Sequence, residues 1–276
     1  MEIPYGVRSL IRRALQEDIG PGDITTALLV PEESESKARF LAKCDFILAG
    51  LPFALEVFRI LDSSVMLTAY LNEGAEVKKG DMLAEVSGKT RTILAGERVS
   101  LNILQRLCGI ATLTRKYIDR IHGTGAKVLD TRKTTPCLRY LEKYAVRTGG
   151  GTNHRFGLFD GVLIKDNHIR ASGGIGKAVK KARQAHHLLK IEVEVSTLQG
   201  LEEAISAGAD VVLLDNMALG EIKKAVRIAG KKVLLEASGM VSLDNIREIA
   251  ESGIDFISAG ALTHSAPAAD ISLKIA

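Results

Sequence analysis

Apolar positions along the first 112 residues change their period several times. Val7, Leu10, Ile11, Ala14 and Leu15 recur at helical spacing and predict an amphipathic helix from about Pro4. Residues 17–26, dense in Gly, Pro and Asp, read as a loop. Short apolar runs then predict strands over 36–44 and 46–49 and a helix over 52–61. A β meander follows over 65–71, 76–77 and 82–87, punctuated by Gly74, Gly80 and Gly88. From Thr92 the pattern turns helical again, with Ile93, Val99, Ile103, Leu104 and Leu107 on the apolar side. Gly109 reads as the end of that helix, and 111–121 as a second one.

Beyond Gly125 the chain becomes an alternating β and α array. Strands are predicted over 126–130, 162–165, 191–195, 211–214, 233–235 and 256–258, with helices over 176–189, 197–207, 218–228 and 242–252. The last three strands begin 22 and 23 residues apart, the repeat of a parallel sheet or barrel. The uninterrupted Val211-Val212-Leu213-Leu214 fits a strand buried on both faces. In the first part, the piece from Gly74 to Asp81 superficially resembles the hairpin of a biotin- or lipoyl-carrying domain. No lysine sits at a hairpin tip in the context such a carrier needs, so a plain antiparallel sheet is favoured.

Composition narrows the class. The 276 residues suit one large α/β domain or two smaller ones, and the apolar and charged shares are those of a soluble globular protein. The apolar run over 46–55 is too short for a membrane span and contains a proline. The acidic, amphipathic N-terminus is unlike a signal peptide. Three widely spaced cysteines without a CxxC pair argue for a reducing compartment, with the cytoplasm expected, and against a disulfide framework or zinc site. Aromatic residues do not interleave with Lys/Arg as a stacking platform would require, which argues against nucleic acid as a partner.

Charge is concentrated in one stretch. Between Asp130 and Arg170 eight Lys/Arg face four acids, which accounts for the whole formal excess of +4. Strand-like apolar runs interleave with these cations, and with His154, His168 and the triple glycine 149–151, rather than lying along a helix face. That pattern favours an anion site over a solvated basic surface. Each of the six predicted strands also ends in polar or charged residues, where α/β barrels and open α/β sheets place their active sites. The early ends carry Thr131, Arg132, Lys133 and Lys165, with His154 and Arg155 between them; Glu194 and Asp215 close later strands, with Glu236 a further candidate. Guanidinium forks and a lysine suit carboxylates and phosphates. Carboxylates suit sugar hydroxyls or Mg²⁺ held partly through water. Ser238-Gly239 and Gly260-Ala261 offer backbone N–H groups to a phosphate. The expected ligand is anionic at one end and a phosphorylated sugar at the other.

Three narrower motifs do not carry the function. The 173–178 glycine run lacks the spacing and Ser/Thr of a P-loop. Asp215 stands without the adjacent second acid of nucleotide-salvage phosphoribosyltransferases. A Schiff base at Lys165 and plain anion binding there both remain open.

The stretch from Asp130 to Ile169, together with Glu97-Arg98-Val99-Ser100-Leu101-Asn102 and Gly109-Ile110-Ala111-Thr112, closely resembles the quinolinate phosphoribosyltransferase family. The likeness runs from Gly22-Asp23-Ile24-Thr25-Thr26 to Ala259-Gly260-Ala261-Leu262-Thr263-His264-Ser265. It implies an N-terminal α/β sandwich domain (1–112, with the tail 267–276 expected to pack back on it) and an α/β barrel of about six parallel strands (113–266). It also implies phosphoribosyl transfer from phosphoribosyl pyrophosphate to quinolinate with decarboxylation, a role in de novo NAD biosynthesis, Mg²⁺ dependence, and a homodimer or a larger assembly. By the same resemblance Arg132, His154, Arg155 and Lys165 bind quinolinate, and Arg98 is donated by the partner chain. Lys133 lies between the substrates, and Glu194 and Asp215 face the ribose and Mg²⁺. Lys133, Glu194 and Asp215 are thus the expected catalytic residues. Thr131, Ser238, Gly239, Met240, Ser258, Gly260 and Ala261 complete the substrate-binding set. Cys137 and Met240 stand where the family usually has Gly, and Gly or Asn, respectively.

Two rival readings have discriminating features. A related barrel transferase acting on nicotinate or another pyridine monocarboxylate needs fewer cations than this chain supplies. A non-catalytic sensor of phosphorylated metabolites has no use for Glu194 and Asp215 beside those cations.

Overall fold

The computed structural model describes residues 2–185 and 188–276. The chain forms two compact units. Unit 1 takes the residues up to Arg115, Thr135–Gly150 and Ala266–Ala276; unit 2 takes Lys116–Thr134 and Gly151–Ser265. Thr135–Gly150, which the sequence reading places with the barrel, therefore counts with unit 1.

Unit 1 begins with α1 (Tyr5–Ile19) and α2 (Ile24–Leu29), followed by β1 (Glu35–Ala42), β2 (Phe46–Ile47), α3 (Leu51–Leu61), β3 (Met66–Ala69), β4 (Glu76–Val77) and β5 (Met82–Lys89). The α1 residues Val7, Ile11 and Leu15 are buried, as their spacing predicts. The loop expected over 17–26 is shorter than its composition suggests, because α2 starts inside it. Asp23 is the N-cap of α2, and its side chain accepts the Thr26 N–H at 3.0 Å. The four-stranded sheet has the order β12-β1-β5-β3, where β12 is Ile271–Ile275 near the C-terminus. All three pairings are antiparallel, so the plain-sheet reading holds. The simple meander does not, since β4 leaves the sheet to pair with β2. Alternate β1 residues, Ala38, Phe40 and Ala42, enter a core with Leu83 and Val86 of β5, Phe58 of α3, and Leu273 of β12. Phe40 and Phe58 meet edge to face with centroids 6.2 Å apart.

The helix α4 (Thr90–Arg120) is continuous over 31 residues and runs through Gly109. The predicted break at that glycine is absent. A β-carbon at Gly109 would lie 1.9 Å from the Pro267 carbonyl oxygen. The glycine therefore marks a close approach of the C-terminal segment to the helix, not a helix end.

Unit 2 carries six parallel strands: β6 (Lys127–Leu129), β7 (Val162–Ile164), β8 (Ile191–Val195), β9 (Val211–Asp215), β10 (Leu234–Ser238) and β11 (Phe256–Ser258). The helices of the array are α6 (Asp166–Ser172), α7 (Ile175–Ala185), α8 (Leu198–Ser206), α9 (Leu219–Ala229), α10 (Ile246–Glu251) and the short α11 (Ala261–His264); α5 (Arg139–Thr148) belongs to unit 1. The helix predicted over 176–189 includes residues 186 and 187, which lie outside those described. Strand order is β6-β11-β10-β9-β8-β7, cyclic in the chain with the first strand beside the last, as in a barrel. At the seam Thr152 adds a parallel bridge to Leu129.

The strand sequences explain what faces inward. In β8, Val193 and Val195 alternate with Glu192 and Glu194; in β9, Val212 and Leu214 alternate with Leu213 and Asp215. One set is fully or nearly buried and apolar, as contact with the outer helices requires. The other set lines the barrel interior, which becomes carboxylate-rich toward the strand C-termini.

Candidate active site

All six strands of unit 2 deliver side chains to one cavity of about 340 Å³ at their C-terminal ends. Thr131, Arg132 and Lys133 follow β6, Lys165 follows β7, and Glu194, Asp215, Ser238 and Ser258 come from β8 to β11. His154 and Arg155, from the segment that crosses the seam, complete the wall. The structure thus brings together eleven of the residues singled out in the sequence, these ten and Glu236. Gly239 and Met240 lie in the turn that follows β10, Gly260 follows β11, and Ala261 begins α11. Arg98 lies exposed on α4, in unit 1.

The cation side is held by buried anions and carbonyls. Asp130, wholly buried, accepts the His154 backbone N–H at 2.8 Å and bonds the Asn153 amide. Arg155 Nη1 donates to the Gly161 carbonyl at 2.9 Å, while its buried Nε has no hydrogen-bond partner among the described residues. Burial, and then the neighbouring Arg132, lower the pKa of the Arg155 guanidinium below its ordinary range. Two guanidinium groups close enough to perturb one another in one half-buried wall fit an anion site.

The acid side faces them directly. Lys165 Nζ donates to Glu194 Oε2 at 2.6 Å, so the two residues expected at opposite ends of the ligand are in contact. Asp215 Oδ2 accepts from the Asn216 amide at 3.0 Å. Asn216 has a left-handed backbone (φ 54°), and a β-carbon at Gly239 would collide with its Oδ1 at 2.0 Å. The turns after β9 and β10 therefore interlock, and only glycine fits at 239. Near the turn after β11, a β-carbon at Gly260 would sit 3.2 Å from Lys133 Cδ. Thr263 Oγ1 donates to the Lys133 carbonyl at 2.8 Å. Lys133 is thus fixed beside one of the expected phosphate turns.

Two carboxylates read differently in the structure. Glu236 was a candidate for the sugar and metal end, but it lies 2 % exposed and deep in the barrel, with Oε2 3.6 Å from His154 Nε2. Glu192, which the sequence reading did not select, has Oε2 3.0 Å from the same nitrogen. Its signal was the alternation Ile-Glu-Val-Glu-Val, which places it one step below Glu194 on the same face. His154 Nδ1 accepts the Arg155 backbone N–H at 2.8 Å. With Nδ1 accepting, Nε2 is the ring nitrogen that faces the two carboxylates.

Two sets of groups in this unit have metal-ligating chemistry. His154, Glu192 and Glu236 offer atoms within 4.8 Å of one another, and the Arg155 N–H on Nδ1 leaves Nε2 turned to the carboxylates as a hydrogen-bond donor. Glu194 and Asp215 each keep one carboxylate oxygen clear of the contacts above. Two hard oxygens on adjacent strands fit Mg²⁺ held mainly by water and ligand phosphates.

This arrangement can be set beside known proteins. The family models for the quinolinate phosphoribosyl transferase N-terminal and C-terminal domains match residues 23–108 and 110–274. The probable nicotinate-nucleotide pyrophosphorylase [carboxylating] of Bacillus subtilis is 44% identical over 270 residues, covering 98% of this chain and 93% of that protein. The solved nicotinate-nucleotide pyrophosphorylase of Francisella tularensis aligns over 100% of this chain and 98% of its own, with TM-score 0.94 and 43% identity. That of Ehrlichia chaffeensis covers 100% of both chains with TM-score 0.94 and 39% identity. With both domain models matched and relatives this similar along nearly the whole length, the chain belongs to the quinolinate phosphoribosyltransferase family.

Proposed function

We propose that the protein transfers phosphoribose from phosphoribosyl pyrophosphate to the ring nitrogen of quinolinate, with decarboxylation. The products are nicotinate mononucleotide, pyrophosphate and CO₂, on the de novo route to NAD. The observation that carries this reading is the convergence of Arg132, Arg155 and Lys165 on a cavity whose facing strands end in Glu194 and Asp215. A ring with two adjacent carboxylates matches the cations, and a pyrophosphorylated sugar matches the acids and the glycine turns.

In the reaction the ring nitrogen displaces pyrophosphate at the sugar carbon and becomes positively charged. The bond to the 2-carboxylate then breaks, CO₂ leaves, and its electron pair stays on the carbon beside the positive nitrogen until a proton takes that place. Arg132, Arg155 and Lys165 orient the dicarboxylate, and Lys133 lies between the two substrates beside the turn that holds phosphate. Glu194 and Asp215 hold the ribose and would ligate Mg²⁺, which neutralises the charge developing on pyrophosphate. No covalent nucleophile is required, since positioning and fixed charge supply the catalysis.

Two finer statements belong to the same reading. The working form is a homodimer in which Arg98 reaches the quinolinate pocket of the partner chain. The protein resides in the cytoplasm, which suits its three free cysteines; among the described residues no helix is long and apolar enough to cross a membrane.

The deciding experiment is release of CO₂ from carboxyl-labelled quinolinate, with and without phosphoribosyl pyrophosphate and Mg²⁺. Release is expected only with both. Nicotinate leaves one set of buried donors unmatched, which costs roughly 2–3 kcal/mol, so its kcat/KM should be at least about 30-fold lower. Comparable values for the two acids would overturn the assignment.

A further inference from the structure

Below the active-site cavity lies a second one of about 290 Å³, lined by Val162, Val211, Leu234 and Phe256 from the N-terminal halves of the strands. The two share His154, Arg155 and Glu236 as a partition. Within that partition His154 is held at its backbone and at both ring nitrogens. Its backbone N–H goes to Asp130, its Nδ1 takes the Arg155 N–H at 2.8 Å, and its Nε2–H faces Glu192 at 3.0 Å and Glu236 at 3.6 Å. Both ring nitrogens are engaged by the protein itself.

Two carboxylates buried this close together are costly, and each keeps a buried oxygen without a hydrogen-bond partner among the described residues. A site selected only for stability would carry an apolar pair here. Burial, then the nearby Glu192, push the Glu236 carboxyl well above the ordinary carboxylate range, so the pair avoids a double negative charge. What remains is an acceptor for the ring N–H with a small net charge, set beneath the arginines.

We propose that Glu192 and Glu236 are positioning residues for the quinolinate end of the site. They accept the Nε2–H of His154 and hold the ring in the neutral tautomer whose Nδ1 receives the Arg155 N–H. That contact fixes the backbone from which the Arg155 guanidinium enters the cavity. His154 is then a link between a buried acid pair and an anion-binding arginine, and the substrate carboxylates are met by Arg132, Arg155 and Lys165. This rests on the reading of the cationic wall as the quinolinate pocket.

The test has two independent parts. In the full-length protein labelled with ¹⁵N-histidine, the His154 resonances, identified by their loss in His154→Gln, should show one protonated and one bare ring nitrogen, with the proton on Nε2. An imidazolium, or a proton on Nδ1, overturns the proposal whatever the substrate proves to be. Steady-state kinetics of Glu192→Ala should show the KM for quinolinate rising about tenfold or more, as for a lost hydrogen bond to a buried group, with the KM for phosphoribosyl pyrophosphate within about twofold. Glu192→Gln keeps an acceptor and should recover most of the loss. Equal rises in both KM values together with a lower Tm, or no change in either, would make the pair merely structural and sink the inference. Absence of quinolinate turnover in the unsubstituted enzyme would instead strike the functional reading, while the histidine signature still decides the tautomer.

Discussion

Cys137 and Met240 both have left-handed backbone, with φ of 66° and 51°. They are the two positions at which the sequence departs from the small residues of its family. Holding a side chain in that region costs about 1–2 kcal/mol, and glycine gives back part of the gain as entropy of the unfolded chain. Both residues are exposed, so little packing is lost on truncation. Cys137→Gly and Met240→Gly should each raise stability by roughly 0.5–1 kcal/mol, read as a higher urea midpoint at unchanged slope. The substitutions were legible in the sequence, but the strain was not, because φ is a property of the turn. Glu236 shows the same limit. Its position after an apolar strand placed it near the site, yet only its burial reveals that burial and Glu192 push its carboxyl up to about 8. The folded state then binds that proton more tightly than the unfolded chain, whose carboxyl titrates at the ordinary 4.5 of an exposed glutamate. Stability from this group is full below that value and is lost as pH rises to about 8. Glu236→Gln lacks the titration, so its stability relative to the unsubstituted protein should increase from pH 5 to pH 8.5 in chemical denaturation. A constant difference across that range would refute the linkage.

Hydrophobic period recovered the barrel strands and the longer helices between them but not the short α6 and α11, since alternation in β8 and helical spacing around it are local properties. It failed where an element's boundary is set by a capping side chain or by a contact distant in the chain. The α2 helix hides behind a Gly-Pro-Gly turn and is started by the Asp23 cap. The α4 helix was divided at Gly109 because a glycine in a helical pattern ordinarily signals an end, whereas here it admits the Pro267 carbonyl. Gly109→Ala would gain about 1 kcal/mol of helix propensity but would overlap a backbone atom, at a cost of about 3 kcal/mol or more. A lower Tm is therefore expected for a substitution that propensity alone would call stabilising. An unchanged or raised Tm would show that the C-terminal segment can move aside freely. Glu73 is a subtler case, capping the start of α3 by accepting the Gly50 and Leu51 N–H groups at 2.7 and 3.0 Å and the Tyr144 hydroxyl at 2.7 Å. No local pattern links residues 50, 73 and 144.

At the scale of the molecule, the return of Thr135–Gly150 and Ala266–Ala276 to unit 1 makes that unit discontinuous. If Arg98 serves the partner's site while Lys133 serves its own, Arg98→Ala and Lys133→Ala should each be nearly inactive. Co-expressed, random pairing would rebuild one good site in half the dimers and recover roughly a quarter of full activity. Heterodimers as inactive as their parents would remove the shared site. The pairing of β1 with β12 carries a different consequence, for synthesis. Ala38 meets Ile275 and Ala42 meets Ile271, so one edge of β1 stays bare while more than two hundred further residues are translated. The ribosome thus releases the barrel strands before the first sheet can be closed, and the growing chain exposes an open hydrogen-bonding edge for most of its elongation. Arrested nascent chains that stop short of residue 271 should bind holdase chaperones through the 35–42 segment, and those that extend far enough to free it from the exit tunnel should let go.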